Sequence, residues 1–353
     1  MVDPFTPGLL QRLPVPPHKV ALLRASRIGD FICATPALRA IRHALPDGEI
    51  TLITLPMLHD LAQRSPHVDR IAAFPGYPGL AEQLFDARRA AHFFLEMQAE
   101  QFDLALQLQG SGVYTNPFTL MLSAQWTAGF VRPGDGPGLL AAALPLPERG
   151  HEIERVLALP TFLGVTARGT ETEYPLWAED HAAADQLLRS AEPPLIGLHA
   201  AARDATRRWS LQRFATVATE LQHEQGGTIV LLGEAAERAS AEELARSVSV
   251  PCLDLTGRTS LPILGAVIQR LAVLITNDTG PAHIAYALRT PTVTIFGGGD
   301  PSRYGPLHAG PFEVVLHPIG CRPCHDPTCP IGNRCLDAVS VKDVLDAVAK
   351  LLP

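Results

Sequence analysis

At 353 residues, with 46% hydrophobic and 18% charged, the chain has the balance of a folded globular protein and the length for two ordinary domains. A formal charge of -7 argues against a dedicated nucleic-acid binder, which clusters Lys and Arg against phosphates, but leaves room for a phosphorylated small ligand held by one or two cations. No apolar run approaches the roughly 18 residues of a spanning helix. The longest candidate, Gly138 to Leu146, is short and broken by proline, and Met1 to Pro17 lacks the charged-then-apolar form of a secretory leader. The expected compartment is the cytoplasm.

Taken in chain order, strands are predicted at Lys19 to Ala25, Glu49 to Leu55, Arg70 to Phe74 and Asp103 to Gln109, with a helical pattern over Ala81 to Glu100. A second series follows at Leu195 to His199, Thr228 to Gly233, Cys252 to Leu255, Ala272 to Thr276 and Thr292 to Phe296, with a helix over Leu211 to His223. Strands alternating with helices are the pattern of βαβ units, and the pattern occurs twice. The Pro/Gly-rich stretch Arg132 to Pro147 and the polar stretch Ala167 to Pro194 read as connectors. The expectation is α/β, two Rossmann-like domains with parallel sheets. An acceptor-type domain spans 1–165, a linker 166–193, a nucleotide-type domain 194–338, and a final helix, packing back on the first domain, lies in 339–353. Ligands of such sheets lie at the carboxyl ends of the strands, so a cleft between the domains is where chemistry is expected.

The first strand runs into Arg24-Ala25-Ser26-Arg27-Ile28-Gly29-Asp30, and apolar spacing at Phe31, Ala34, Leu38, Ile41 and Leu45 predicts a helix behind it. Thr35-Pro36 would suit a helix start, and Asp30 would equally cap an earlier one. Gly29 suits a tight turn at the strand end. Asp30 then reads either as a plain N-cap or as a carboxylate placed to take a proton from a hydroxyl.

A second motif, Asn277-Asp278-Thr279-Gly280-Pro281-Ala282-His283, joins a strand to a helix. Backbone N–H groups at such a helix start, with Thr279 and Gly280, suit phosphate oxygens. Asp278 and His283 flank that position; the structural alternative is an Asp cap with a half-buried His. In the run His199 to Trp209, Arg203, Arg207 and Arg208 would grip a diphosphate or simply face solvent, and Trp209 reads as a core anchor. Glu234, after Gly233, is placed to accept from ribose hydroxyls, with Glu237 competing for that role. Neither a Gly-x-Gly-x-x-Gly nor a P-loop is present.

Four of the six cysteines cluster as Cys321-x2-Cys324-x4-Cys329-x5-Cys335. Four thiolates at this spacing could close a tetrahedral structural site for zinc or iron. The alternative is a cysteine-rich loop packed on the second domain.

With these residues in hand, the sequence resembles glycosyltransferase family 9, the ADP-heptose:lipopolysaccharide heptosyltransferases. Arg24 to Asp30 with Thr35-Pro36-Ala37-Leu38-Arg39, and Asn277 to His283 followed by Pro291 to Phe296 and Asp300-Pro301, carry the resemblance. Glu152 to Gly164 resembles the family's helix before the linker. The resemblance implies a GT-B fold and an inverting transfer with no cofactor required for catalysis. It assigns Asp30 as the general base, with Ser26, Arg27 and Gly29 on the acceptor side. It assigns Asp278, Thr279, Gly280 and His283 to the nucleotide-sugar site, with Glu234 near the ribose. Arg207 stands where the family usually carries a Lys, which keeps the charge and changes its geometry. The implied partners are an ADP-sugar donor and a lipopolysaccharide core or other glycan acceptor at the inner face of the inner membrane, with no nucleic acid. Two rivals remain, an isomerase such as a nucleotide-sugar 2-epimerase and a non-catalytic nucleotide-binding protein.

Overall fold

The computed structural model describes residues 3–324 and 326–352, so the outer ends of the expected first and last segments lie outside the described residues. The chain divides into two units, the first ending at Glu173 and the second beginning at Tyr174.

In the first unit, β1 (Lys19–Leu23), β2 (Glu49–Thr54), β3 (Arg70–Ala73), β4 (Leu104–Gln107), β5 (Trp126–Val131) and β6 (Ala142–Pro145) form a parallel sheet of order β3-β2-β1-β4-β5-β6. In the second, β7 (Leu195–His199), β8 (Thr228–Leu231), β9 (Cys252–Asp254), β10 (Val273–Asn277), β11 (Thr292–Phe296) and β12 (Phe312–Leu316) give β12-β11-β10-β7-β8-β9, the same order read from the other edge. Central strands are apolar on both faces because helices cover both, which is why Val20–Leu23 and Ile229–Leu231 are buried without alternation. The strand order of each sheet reverses between its first and fourth strands. The crevice at such a reversal lies at the carboxyl ends, beside β1 and β4 in one unit and beside β7 and β10 in the other.

The helices that matter below are α1 (Ile28–Ala44), α2 (Ala87–Ala99), α3 (Glu152–Phe162), α4 (Ala178–Leu188), α5 (Leu211–Gln225), α6 (Leu261–Ile268), α7 (Gly280–Leu288) and α8 (Val341–Ala349). Neither expected start of α1 is the observed one. The helix begins at Ile28 with Arg27 in the N-cap position and runs through Pro36. Proline lacks the N–H that would reach the carbonyl of Ile32. The Thr35 hydroxyl donates to that oxygen at 2.8 Å instead, which keeps the helix continuous.

Both stretches read as connectors contain structure. Arg132 to Pro147 includes β6, an edge strand where Pro145 is tolerated because its missing N–H breaks no inner ladder. The 166–193 stretch includes α4, which packs on α6 of the second unit. The last helix also differs from expectation. Val344, Ala347 and Val348 of α8 belong to the second unit's own core, against α5, β11 and β12. Its apolar face is spent there.

Candidate active site

In the first unit the candidate base sits in the first turn of α1. Asp30 is the third helical residue, its side chain is 33% exposed, and Arg27 in the cap position makes no side-chain cap bond. The helix N-terminus favours the ionised carboxylate. Arg24, one residue past β1, donates from Nε and Nη2 to the Asp30 carbonyl at 3.1 and 2.6 Å, and its Nη2 stands 3.8 Å from Asp30 Oδ1. Gly29 lies in helical backbone, so the turn after β1 is made by residues 25–27 and not at the glycine. Ser26 Oγ is buried without a hydrogen-bond partner among the described residues, and Arg27 is exposed.

In the second unit two motifs converge at the sheet reversal. Asn277 ends β10 fully buried; its Nδ2 donates to Ala200 O at 2.8 Å and its Oδ1 accepts from Trp209 N at 3.1 Å. One amide thus pins both ends of the arginine loop to the start of the helix segment. Trp209 anchors that loop, 1% exposed, with Nε1 donating to Val339 O at 3.0 Å. The three arginines divide. Arg208 staples the loop by donating to Ala202 O and Arg203 O, Arg203 is exposed, and Arg207 Nη1 lies 3.2 Å from Oδ2 of the buried Asp278. Asp278 can sit there because Gly299 packs against its carboxylate, where any Cβ would collide.

Thr279 precedes α7 as its N-cap residue, and its Oγ1 meets His199 Nδ1 at 3.1 Å. His199 Nε2 in turn faces Glu237 Oε2 at 3.5 Å. Glu237 also accepts from Glu234 N at 2.8 Å. Burial pushes the Glu237 carboxyl up, but the His199 contact, the Glu234 N–H and the charge of Arg208 outweigh it and hold the group below its ordinary value. Glu234 itself is exposed, so the carboxylate joined to Thr279 through His199 is Glu237. His283 is buried with its ring edge-on to Tyr286 and Tyr304. His199 went unassigned in the sequence; its signal was its place as the last residue of a strand leading into the arginine loop.

The cysteines do not assemble as a closed site. Cys321 is exposed, Cys324 and Cys329 are half-buried, and Cys335 lies in the second unit's core. Burial raises the Cys335 thiol above its ordinary range, and neighbouring Cys321 and Cys329 add to this. Among the described residues no three His, Cys, Asp or Glu side chains converge to hold a metal. The loop braces the arginine segment instead. Cys324 N donates to Gly298 O at 2.7 Å, Gly298 N to Thr206 O at 2.9 Å, and Thr206 Oγ1 to Asp326 O at 3.0 Å.

A profile of glycosyltransferase family 9 (heptosyltransferase) matches residues 90–334. The chain belongs to glycosyltransferase family 9. Lipopolysaccharide heptosyltransferase 3 of Escherichia coli K12 is 24% identical over 341 residues, covering 92% of this chain and 95% of that one. Among solved structures, a family 9 glycosyltransferase from Veillonella parvula superposes with a TM-score of 0.80 at 21% identity, covering 95% of this chain and 97% of the other. The E. coli ADP-heptose lipopolysaccharide heptosyltransferase II gives 0.77 at 21% identity, with 95% and 98% covered. The fold is GT-B and the protein is a glycosyltransferase, so the isomerase and non-catalytic readings give way. Among the described residues of this glycosyltransferase no helix is long and apolar enough to cross a membrane.

Proposed function

We propose that this glycosyltransferase moves a heptose from an ADP-activated donor to a lipopolysaccharide core acceptor, with inversion at the anomeric carbon. The observation that carries the reading is the junction of Arg207, Asp278, Thr279 and the N-terminus of α7 at the sheet reversal of the second unit, in a chain whose relatives are lipopolysaccharide heptosyltransferases.

In the transfer, the acceptor O–H gives its proton to the Asp30 carboxylate as its oxygen bonds to the sugar C1. The bond from C1 to the phosphate oxygen breaks and ADP leaves with the electron pair. Arg207 and the Gly280 N–H at the start of α7 neutralise the departing diphosphate, the part a divalent ion plays elsewhere, so the proposed step requires no metal. The donor segment is preorganised because Asn277 and Trp209 fix the arginine loop before any ligand arrives. Glu237, tied to Thr279 through His199, is placed to accept from the ribose hydroxyls, with Glu234 as the exposed alternative. A core acceptor places the enzyme at the inner face of the inner membrane, as a peripheral protein.

Incubation with ADP-heptose and heptose-deficient lipopolysaccharide, read by mass spectrometry and by NMR of the new anomeric centre, tests this. One added heptose of inverted configuration is expected, undiminished by EDTA. Consumption of a different nucleotide sugar, with ADP-heptose neither bound nor used, would overturn the donor assignment.

A further inference from the structure

We propose that Arg24 is a positioning residue for Asp30, held by Glu152 and Arg155, and that this buried chain of charges aims the base and keeps it ionised. The inference rests on the reading of Asp30 as the base.

Arg24 is 2% exposed at the end of a core strand, a costly place for a guanidinium that an apolar side chain would fill with less penalty. Its shortest contacts are to backbone carbonyls. Nε and Nη2 reach the Asp30 carbonyl, and Nη1 reaches Leu108 O at 2.6 Å. Asp30 follows β1 and Leu108 follows β4, the two strands that frame the sheet reversal. A single planar group therefore ties the first turn of α1 to the opposite lip of the crevice.

Behind Arg24 the charges alternate. Glu152 Oε1 stands 3.5 Å from Arg24 Nη2, Glu152 Oε2 accepts from Arg155 Nη1 at 3.0 Å, and Arg155 Nε donates to Pro147 O at 2.7 Å. Glu152 and Arg155 are both more than nine-tenths buried, so water screens these contacts little. Among the described residues, the charged and titratable groups nearest Asp30 in sequence and on the packed elements include Arg24 after β1, His151, Glu152, Glu154 and Arg155 at the start of α3, Arg27 capping its own helix, and Cys33, Arg39, Arg42 and His43 further along that helix. β2 and β4 contribute Thr54 and Leu108 here, which carry no charge.

The electrostatics give opposite signs for the two partners. Arg24 favours the Asp30 carboxylate, so neutralising it raises the carboxyl pKa, and activity is lost at a higher pH on acidification. Glu152 offsets Arg24, so neutralising it lowers the carboxyl pKa and moves the same limb to lower pH. A residue that only stabilised the fold would not move the limb in opposite directions.

The test compares kcat–pH profiles and KM for Asp30→Asn, Arg24→Gln, Arg24→Lys and Glu152→Gln, with ADP-heptose and heptose-deficient lipopolysaccharide as substrates and ADP affinity as the control for the second unit. Arg24→Gln should lower kcat by about 10²-fold, the loss typical of a base misplaced by about an ångström, with ADP affinity unchanged and the acid limb at higher pH. Arg24→Lys keeps the charge without the fork; it should restore the limb and only part of kcat. Glu152→Gln should move the limb the other way, and it decides the matter with Arg24→Lys where Arg24→Gln does not fold. Wild-type kcat and limb in both of those variants, with Asp30→Asn inactive, would overturn the positioning role alone. A fully active Asp30→Asn would remove the base assignment and the positioning role with it.

Discussion

Arg207 Nη1 lies 3.2 Å from Asp278 Oδ2, an ion pair that joins the arginine loop to the segment opening α7. Asp278 is 2% exposed while the Arg207 side chain is 35% exposed, so the carboxylate is a fixed anchor and the guanidinium faces outward from it. A buried anion with one half-exposed cation presets the geometry of that cation before a ligand binds. On the proposed reading, this is how an acidic residue serves an anion site: it holds the arginine, and the arginine faces the diphosphate.

Arg207→Ala should weaken ADP binding by about 1.5–3 kcal/mol, roughly ten- to a hundredfold, if one charged hydrogen bond is lost. Arg207→Lys should recover part of that, since it keeps the charge but loses the bidentate fork. Titration calorimetry with ADP measures both. Equal affinity in the Ala variant and wild type would put the diphosphate elsewhere.

The two glutamates at the end of β8 should separate in the same assay. Glu237 is half-buried and in the His199–Thr279 network; Glu234 is exposed. Glu237→Gln should therefore cost ADP at least about tenfold in affinity, the loss expected when a charged acceptor becomes neutral. Glu234→Gln should stay within about twofold. The reverse ranking would return the ribose contact to Glu234.

Much of this was legible in the sequence because parallel strands covered on both faces are written as unbroken apolar runs. Those runs located nine strands, and the motifs after their carboxyl ends pointed to the candidates Asp30, Arg207, Asp278 and Thr279. What the sequence concealed has physical reasons. The strand Ala142–Pro145 consists of Ala, Leu and Pro, and Ala and Pro are poor strand formers tolerated there only by tertiary context. The passage of α1 through Pro36 depends on a hydroxyl bond from Thr35 that no propensity scale contains. The choice between Glu234 and Glu237 turns on which carboxylate meets His199, a long-range contact. Cysteine spacing fits both a metal site and a packed loop, and spacing alone does not choose between them.

That distinction can be measured directly. The untagged protein, purified under reducing conditions, should carry well under one zinc or iron per chain, and chelation should leave its melting temperature unchanged. One equivalent of metal by elemental analysis, with a melting temperature that falls on chelation, would restore the metal reading.

Acid sensitivity follows from two carboxylates. For Glu237 and for Glu173, burial pushes the carboxyl up but is outweighed, by the His199 contact at Glu237 and by His67 and Arg39 at Glu173, so both titrate below the ordinary carboxylate range. A carboxyl depressed in the folded state contributes stability that is fully present above its unfolded pKa and is lost as pH falls through the folded one. Melting temperature should therefore hold steady from neutral pH to about 5 and drop below about 4.5. Glu173→Gln should be less stable than wild type at pH 7, with the gap closing in acid. A gap that does not change with pH would show that the Glu173 contacts do not act through its charge.

The mechanism itself is tested at Asp30. An acceptor hydroxyl is far too weak an acid to ionise at neutral pH, so its proton must leave as the bond to the sugar forms, and a positioned carboxylate typically contributes about 10²–10⁴-fold to such a step. The structure bears on how the variant will behave. Asp30 is the third residue of α1 and not its cap, so the helix does not depend on it for its start. Arg24 holds this turn through the Asp30 carbonyl, which survives any change of side chain. Asp30→Asn therefore keeps the shape and the backbone anchor while removing the basicity. It should lower kcat by about 10²–10⁴-fold, with ADP affinity and melting temperature close to wild type. Turnover at the wild-type rate would show that another group takes the proton. A fall in melting temperature of many degrees would make the Asp30 carboxylate a structural partner of Arg24, whatever the rate of the surviving enzyme.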